Sequence, residues 1–442
     1  MPVSLTVTPE YALFPTEINI RASGCEPGGK VHLKTTLRDD AGVDWQADGH
    51  FIADASGNID VHSAPSESGT FVGLDPAGLF WSMRPLDQDL ATFQLDATER
   101  PHKLGQPVED PLKPRVIAFS AEVDGTVRAT AKATLFKLDP AIETLEVRDG
   151  NLRGMAFRWK DRSTKRGGIM SLTGSGGGVE MNYAPLLASL GYDVFSLAYF
   201  AYEDLPSAII SIPLKYFAEG FEWMKSNFGC DKIAVQGASR GGELSVLLAA
   251  TFPQYVKGAI PIVPMYATSP GWNPNEGVEG PSWTFEGKDI PYPPSIPSPS
   301  PEEMQKEGRL LPNGFPLTPW YFELMTQPEA MADCAIAIEN SGGVLLMVSG
   351  VEDEMWPCAW GSDRIIDRLR AHGFQHDFAH LPLRETGHVT PLPNQITTFN
   401  AALVHSLTPI RLACGGSAQG SARSSRLFWD AIIAHYQAVF GH

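Results

Sequence analysis

One five-residue turn constrains this chain more than any other feature. Lys232-Ile233-Ala234-Val235-Gln236 reads as a short apolar strand, and Glu243-Leu244-Ser245-Val246-Leu247-Leu248-Ala249-Ala250 reads as a helix. Between them lies Gly237-Ala238-Ser239-Arg240-Gly241, a GxSxG string. A chain with this much glycine would show ~0.3 such strings by chance, so the flanking strand and helix carry the weight. A strand that reverses into a helix this quickly brings two backbones together, and only small residues fit beside the bend. The serine at the apex then projects its hydroxyl above the edge of a sheet.

The text around the turn alternates strand and helix. Apolar strands are expected at Gly168–Leu172, Asp193–Ala198, Gly258–Ile262, Val344–Val348 and Phe378–Leu383. Helical spacing is seen at Tyr183–Leu190, Leu214–Asn227 and Arg240–Thr251. That alternation predicts an α/β sheet from about residue 150 onward. The first part reads differently. Val3–Thr8, Ile18–Ala22, Val31–Leu37, Val116–Ala121 and Thr126–Lys137 are short strands broken by turns such as Glu26-Pro27-Gly28-Gly29. They predict a β-sandwich. Leu138–Asp149 reads as a charged linker, so the expected domains are 1–140 and 150–442. Ten prolines fall within Pro270–Pro312. A run this dense in proline predicts neither strand nor regular helix, and a long insertion of this kind suits a lid or a partner surface.

Composition narrows the partners. The 442 residues carry 34 Lys and Arg against 51 Asp and Glu, formally −17. That balance disfavours nucleic acid, whose phosphates require a basic field. The five cysteines (Cys25, Cys230, Cys334, Cys358, Cys414) show no CxxC and no paired metal spacing. Reduced thiols are therefore expected, with no metal and no cofactor. No secretory leader is read in Met1-Pro2-Val3-Ser4, and Val439-Phe440-Gly441-His442 is not a peroxisomal signal. No apolar run is long enough to span a bilayer. A cytoplasmic protein without membrane partners is the expectation.

A serine hydroxyl needs a base, and the base needs an orienting acid. In sheets of the α/β-hydrolase type the acid and then the histidine follow the serine in the chain. The expected strand Val344–Val348 runs into Ser349-Gly350-Val351-Glu352-Asp353-Glu354, an acidic loop at the rim where such sheets hold their sites. Asp353 is the first choice and Glu352 the second. Among His372, His376, His380 and His388, the last follows the final strand, in Glu385-Thr386-Gly387-His388. The predicted triad is Ser239, Asp353 and His388. The oxyanion hole is expected to combine the backbone N–H of Arg240 with a donor from Gly174-Ser175-Gly176-Gly177-Gly178, either Ser175 or Gly176.

Longer strings then resemble a known family. Gly69-Thr70-Phe71-Val72-Gly73-Leu74-Asp75-Pro76-Ala77-Gly78-Leu79-Phe80-Trp81 is similar to the G-x-x-x-G-x-x-P-x-G-L-x-W signature of acyl-CoA thioesterases and bile acid-CoA:amino acid N-acyltransferases. Tyr199-Phe200-Ala201-Tyr202-Glu203-Asp204-Leu205-Pro206 resembles that family's YxxYEDLP segment. Gly237-Ala238-Ser239-Arg240-Gly241-Gly242-Glu243-Leu244 resembles its GxSKGGEL. Asp353, His388, Gly415-Gly416 and Trp429 fall at matching places. The resemblance implies a β-sandwich followed by an α/β-hydrolase domain, and acyl transfer from a thioester through a covalent intermediate. In that family cysteine at the nucleophile position favours transfer to an amino acid and serine favours hydrolysis. Ser239 therefore implies a thioesterase acting on an acyl-CoA or an acyl chain on a carrier protein. An acyltransferase or lactone-forming enzyme is the alternative.

Overall fold

The computed structural model describes residues 2–90, 110–163, 167–273, 278–293, 300–306, 308, 310–311, 313–327, 331, 333–399, 402–404 and 411–441. The chain divides into two compact units. The first is Met1–Leu138 with Pro391–Val404 and Ser417–Arg426; the second is Asp139–Thr390 with His405–Gly416 and Leu427–His442.

The first unit is a β-sandwich. Its main strands are β1 (Ser4–Thr8), β2 (Tyr11–Leu13), β3 (Asn19–Ser23), β4 (Lys30–Arg38), β5 (Asp44–Ile52), β6 (Arg115–Val123) and β7 (Thr126–Phe136). β1, β3 and Ile59–Asp60 form one sheet; the other has the order β2-β7-β6-β4-β5, continued at its edge by Ser68–Gly69. Alternation decides which face is inward, because successive side chains in a strand point opposite ways. Val31, Leu33, Thr35 and Leu37 of β4 are buried, as are Trp45, Ala47 and Phe51 of β5. The residues between them, among them His32, Lys34, Asp48 and His50, lie on the other face and are only half-buried.

The second unit carries the sheet that positions the turn. Its strands are β8 (Ile142–Asp149), β9 (Leu152–Trp159), β10 (Gly168–Leu172), β11 (Asp193–Ala198), β12 (Ile233–Ala238), β13 (Val256–Ile262), β14 (Val344–Gly350) and β15 (Phe378–Leu383). The order is β8-β9-β11-β10-β12-β13-β14-β15. β8 pairs with β9 and β9 with β11 antiparallel, and from β11 onward every pairing is parallel. The parallel strands β10, β11 and β12 are buried almost throughout, as expected where helices cover both faces. Its longer helices are α1 (Ala184–Ser189), α2 (Lys215–Phe228), α3 (Arg240–Thr251), α4 (Thr318–Met325), α5 (Cys358–Ala371) and the C-terminal part of α6 (Ala418–Phe440). α2 buries Phe217, Phe221, Met224 and Phe228 along one stripe and ends at Gly229, whose φ of 70° gives a left-handed cap. This is the α/β-hydrolase fold. Among the described residues no helix is long and apolar enough to cross a membrane.

Two expectations differ from what is found. Leu138–Asp149 is not a linker, because Ile142–Asp149 is the edge strand β8. Its exposed face carries the charged residues, and only Ile142 and Val147 are fully buried, so the apolar signal is thin. The proline-rich stretch does contain regular elements. Trp283–Phe285 pairs with Lys288–Asp289 around Glu286-Gly287, a window free of proline, and Pro301–Lys306 is a short helix. Residues 274–277, 294–299, 307, 309 and 312 of that stretch lie outside the described residues.

Candidate active site

Ser239 stands between β12 and α3 with φ 60° and ψ −121°, a left-handed conformation rare for a residue with a side chain. Strain of this kind persists only where the surroundings enforce it. Here they do so through close approach. A Cβ on Gly237 would lie 2.5 Å from the Gly241 carbonyl oxygen, and one on Gly241 would lie 2.4 Å from that of Thr173. The turn is tied to the next strand as Ser239 N–H donates to Ile262 O at 3.0 Å. Its own carbonyl accepts the first helical bond, from Glu243 N–H.

Arg240 opens α3, so its backbone N–H is at a helix N-terminus, where amides lack intrahelical partners. Its guanidinium serves elsewhere. It donates to Glu243 Oε2 at 2.8 Å, to Ser269 O at 3.1 Å and to Ser282 Oγ. Glu243, fully buried, also accepts from Trp283 Nε1 at 3.0 Å and from Ser269 N–H at 3.1 Å. A buried carboxylate needs this many donors to offset lost hydration. The glycine loop lies against the serine: a Cβ on Gly174 would sit 3.2 Å from Ser239 Cβ. Ser175 and Gly176 follow directly in that loop.

The acid and the histidine meet. Asp353 Oδ2 accepts from His388 Nδ1 at 2.7 Å, with both side chains less than 8% exposed. Asp353 Oδ1 takes the Met355 and Trp356 N–H groups at 2.8 and 3.1 Å. Glu352 is exposed, and Glu354 accepts from Asn313 Nδ2 instead. With Nδ1 engaged by a carboxylate, the imidazole is fixed in the tautomer whose Nε2 lone pair is free. Among the described residues no hydrogen bond joins Ser239 Oγ to His388; such bonds commonly tighten only when substrate binds. All three residues follow the C-terminal ends of parallel strands, β12, β14 and β15. The other histidines are engaged differently: His380 Nδ1 meets Asp363, and His372 Nδ1 meets Arg368 O.

Two further segments support the pair. Trp356 donates from Nε1 to Val263 O at 3.0 Å and lays its ring edge-on to His388, centroids 5.8 Å apart. Its ring also meets Tyr321 of α4, which in turn meets Trp320. The second is Cys414-Gly415-Gly416. His388 N–H donates to Cys414 O at 2.7 Å, Gly415 bridges to Asp353 and Gly416 to Thr386. The Gly-Gly pair was the one available sign of it. The thiols nearby are held protonated: burial first, then the Asp353 carboxylate, pushes Cys358 and Cys414 well above the usual range. Neither offers a thiolate.

Comparison with known proteins identifies the family. Residues 15–149 match the family described as the acyl-CoA thioester hydrolase/BAAT N-terminal region. Residues 212–269 and 315–441 match the BAAT/acyl-CoA thioester hydrolase C-terminal family. Acyl-coenzyme A thioesterase 2, mitochondrial, of Mus musculus is 29% identical over 84% of this chain and 75% of its own length. Acyl-coenzyme A thioesterase 1 of Homo sapiens is 26% identical over 96% of this chain and 93% of its own. Acyl-coenzyme A amino acid N-acyltransferase 2 of Mus musculus is 27% identical over 84% of this chain and 83% of its own. Among solved structures, an arylesterase covers 69% of this chain and 86% of its own with a TM-score of 0.37 and 16% identity, too slight a likeness to build on.

Proposed function

The chain belongs to the acyl-CoA thioester hydrolase/BAAT family, and from that premise we propose that it is a serine-dependent acyl-thioesterase. The observation that carries the reading is the buried 2.7 Å pair of His388 Nδ1 and Asp353 Oδ2, on the same edge of the sheet as the strained Ser239. In this reading Ser239 Oγ attacks the thioester carbonyl while His388 Nε2 takes its proton. Asp353 holds the ring and stabilises the imidazolium without being protonated. The oxyanion is met by the Arg240 N–H and by a donor from Ser175 or Gly176. Collapse of the tetrahedral intermediate expels the thiol, which takes the proton from His388. Water, deprotonated by the same ring, then releases the acid and restores the serine.

The apolar side of the site fits an acyl group. Trp356, Tyr321 and Trp320 form a run of ring contacts leading from His388. The thiol half is CoA or the pantetheine of a carrier protein. Serine at the nucleophile position favours water as acceptor, although the N-acyltransferase relative keeps acyl transfer as a second outcome. The test is thiol release from a panel of acyl-CoA and acyl-pantetheine thioesters, with and without amine or alcohol acceptors. The expected result is thiol and free acid in equal amounts, abolished in Ser239→Ala. Full release by Ser239→Ala refutes the mechanism, and thiol without free acid reassigns the enzyme to acyl transfer.

A further inference from the structure

A second cluster of reactive side chains lies in the β-sandwich unit. Cross-strand register places His32 of β4 opposite His50 of β5, and on its other side opposite Glu122 of β6. Asp48, two residues before His50, shares the same face because side chains alternate along a strand. The rings of His32 and His50 are stacked, centroids 4.0 Å apart and 10° from parallel. His32 Nε2 meets Asp48 Oδ2 at 2.8 Å, and His32 Nδ1 faces Glu122 Oε2 at 3.6 Å. Ligand atoms of His32, Asp48 and His50 all lie within 4.8 Å of one another, the one such group found among the described residues.

Three facts set this apart from an ordinary polar patch. The side chains are largely withdrawn from solvent: His32, Asp48 and Glu122 retain 23%, 19% and 14% exposure. His50 Nδ1 is buried with no hydrogen-bond partner, a cost that a folded protein normally avoids. The charge balance is open as well. Asp48 and Glu122 bring two negative charges, and Lys34, 2.8 Å from Glu122, neutralises one of them. Two imidazoles and one carboxylate that no Lys or Arg neutralises among the described residues are a donor set suited to a borderline divalent cation.

We propose that His32, Asp48 and His50 bind a divalent first-row transition ion, with zinc as its natural probe. A zinc–nitrogen bond of ~2.0–2.1 Å at tetrahedral angles places donor atoms about 3.3 Å apart, so side-chain rotations close the existing set around one ion. His32 binds through Nε2 beside Asp48. Its ring proton then sits on Nδ1 toward Glu122, the carboxylate–histidine–metal arrangement that fixes the ligating tautomer. The fourth position is left to water. The inference does not depend on the acyl chemistry, since none of these residues belongs to the catalytic unit.

The experiment is titration of the chelator-treated full-length protein with zinc chloride and, for its visible absorption, cobalt chloride. One equivalent is expected to bind with micromolar or tighter affinity. His32→Ala/His50→Ala is expected to abolish that binding, and Glu122→Gln to weaken it about 10–100-fold. Circular dichroism establishes that each variant folds. X-ray absorption on the wild-type zinc complex is expected to show nitrogen and oxygen scatterers without sulfur, an outcome independent of any variant. No binding, unchanged binding by the double variant, sulfur in the shell, or loss in His388→Ala alone would each overturn the proposal.

Discussion

Replacing Asp353 by asparagine changes one atom and separates orientation from charge. The carboxylate makes three bonds: two through Oδ1 from Met355 and Trp356 N–H, and one through Oδ2 from His388 Nδ1. An asparagine can keep the first two with its carbonyl, but its amide nitrogen then faces His388. The ring must answer with Nδ1 as acceptor and Nε2 protonated, which leaves no base for Ser239. The reverse orientation restores the tautomer and turns the amide toward two buried N–H donors. Each unsatisfied donor costs about 1–3 kcal/mol. The productive orientation is therefore disfavoured by about 2–6 kcal/mol, or roughly 30-fold to more than ten-thousand-fold at 1.36 kcal/mol per decade. Loss of the charge that stabilises the imidazolium adds to this, so a fall in kcat of at least about a hundredfold is expected. The assay is thiol release from an acyl-CoA turned over by the wild type, beside a thermal melt. Glu352→Gln, at an exposed position, is the control and should stay within about twofold. A folded Asp353→Asn protein that loses less than tenfold would refute the reasoning.

Three further perturbations follow from the same geometry. Gly241→Ala places a Cβ 2.4 Å from the Thr173 carbonyl oxygen, and should cost about 1–3 kcal/mol and several degrees of Tm, read by calorimetry. Arg240→Met leaves Glu243 buried without its cation, and chemical denaturation should register a loss of about 3–5 kcal/mol. The His435 imidazole, lowered to about 4 by burial, binds its proton more weakly folded than unfolded. Its contribution is complete above about pH 6.5 and disappears as pH falls toward 4, worth about 3 kcal/mol at 1.36 kcal/mol per unit. Urea titrations across that window should show the slope, and His435→Phe should flatten it.

What the sequence makes legible is what local pattern encodes. The apolar strand before Gly237, the helix after it, and a carboxylate and histidine following later strands are each contained in a few consecutive residues. Pairing across strands is not. Trp356 has no local mark, because what matters is that it reaches Val263 just past the neighbouring strand and His388 beyond the next. His32, Asp48 and His50 carry no metal spacing; they meet only through the register of β4 against β5. Arg240 illustrates the same limit within the turn itself. Its place after the serine identifies a backbone donor, yet the sequence is silent on a guanidinium bound to Ser269 and Ser282. β8 was hidden for a further reason: an edge strand with one solvated face dilutes its apolar residues among charged ones.

Asp353 and His388 arrive from different strand ends, and neither loop holds itself in place. Glu352 N–H donates to Thr386 O at 3.1 Å, joining the two loops directly. Gly415 bridges to Asp353, Gly416 bridges to Thr386, and Cys414 O receives the His388 N–H. The strap thus touches both members of the pair while contributing no reacting atom. It must be made of glycine, since φ is 75° at Gly415 and 72° at Gly416, and a Cβ on Gly415 would lie 1.8 Å from Glu352 O. Gly387 meets the strap from the other side, where a Cβ would lie 2.1 Å from Cys414 O. Contacts this short leave no room for a side chain without moving one of the loops. A shift of about 1 Å is enough to cost a hundredfold in a positioned reaction. The 2.7 Å bond between His388 and Asp353 is therefore a property of three segments together, the third being the Gly-Gly strap.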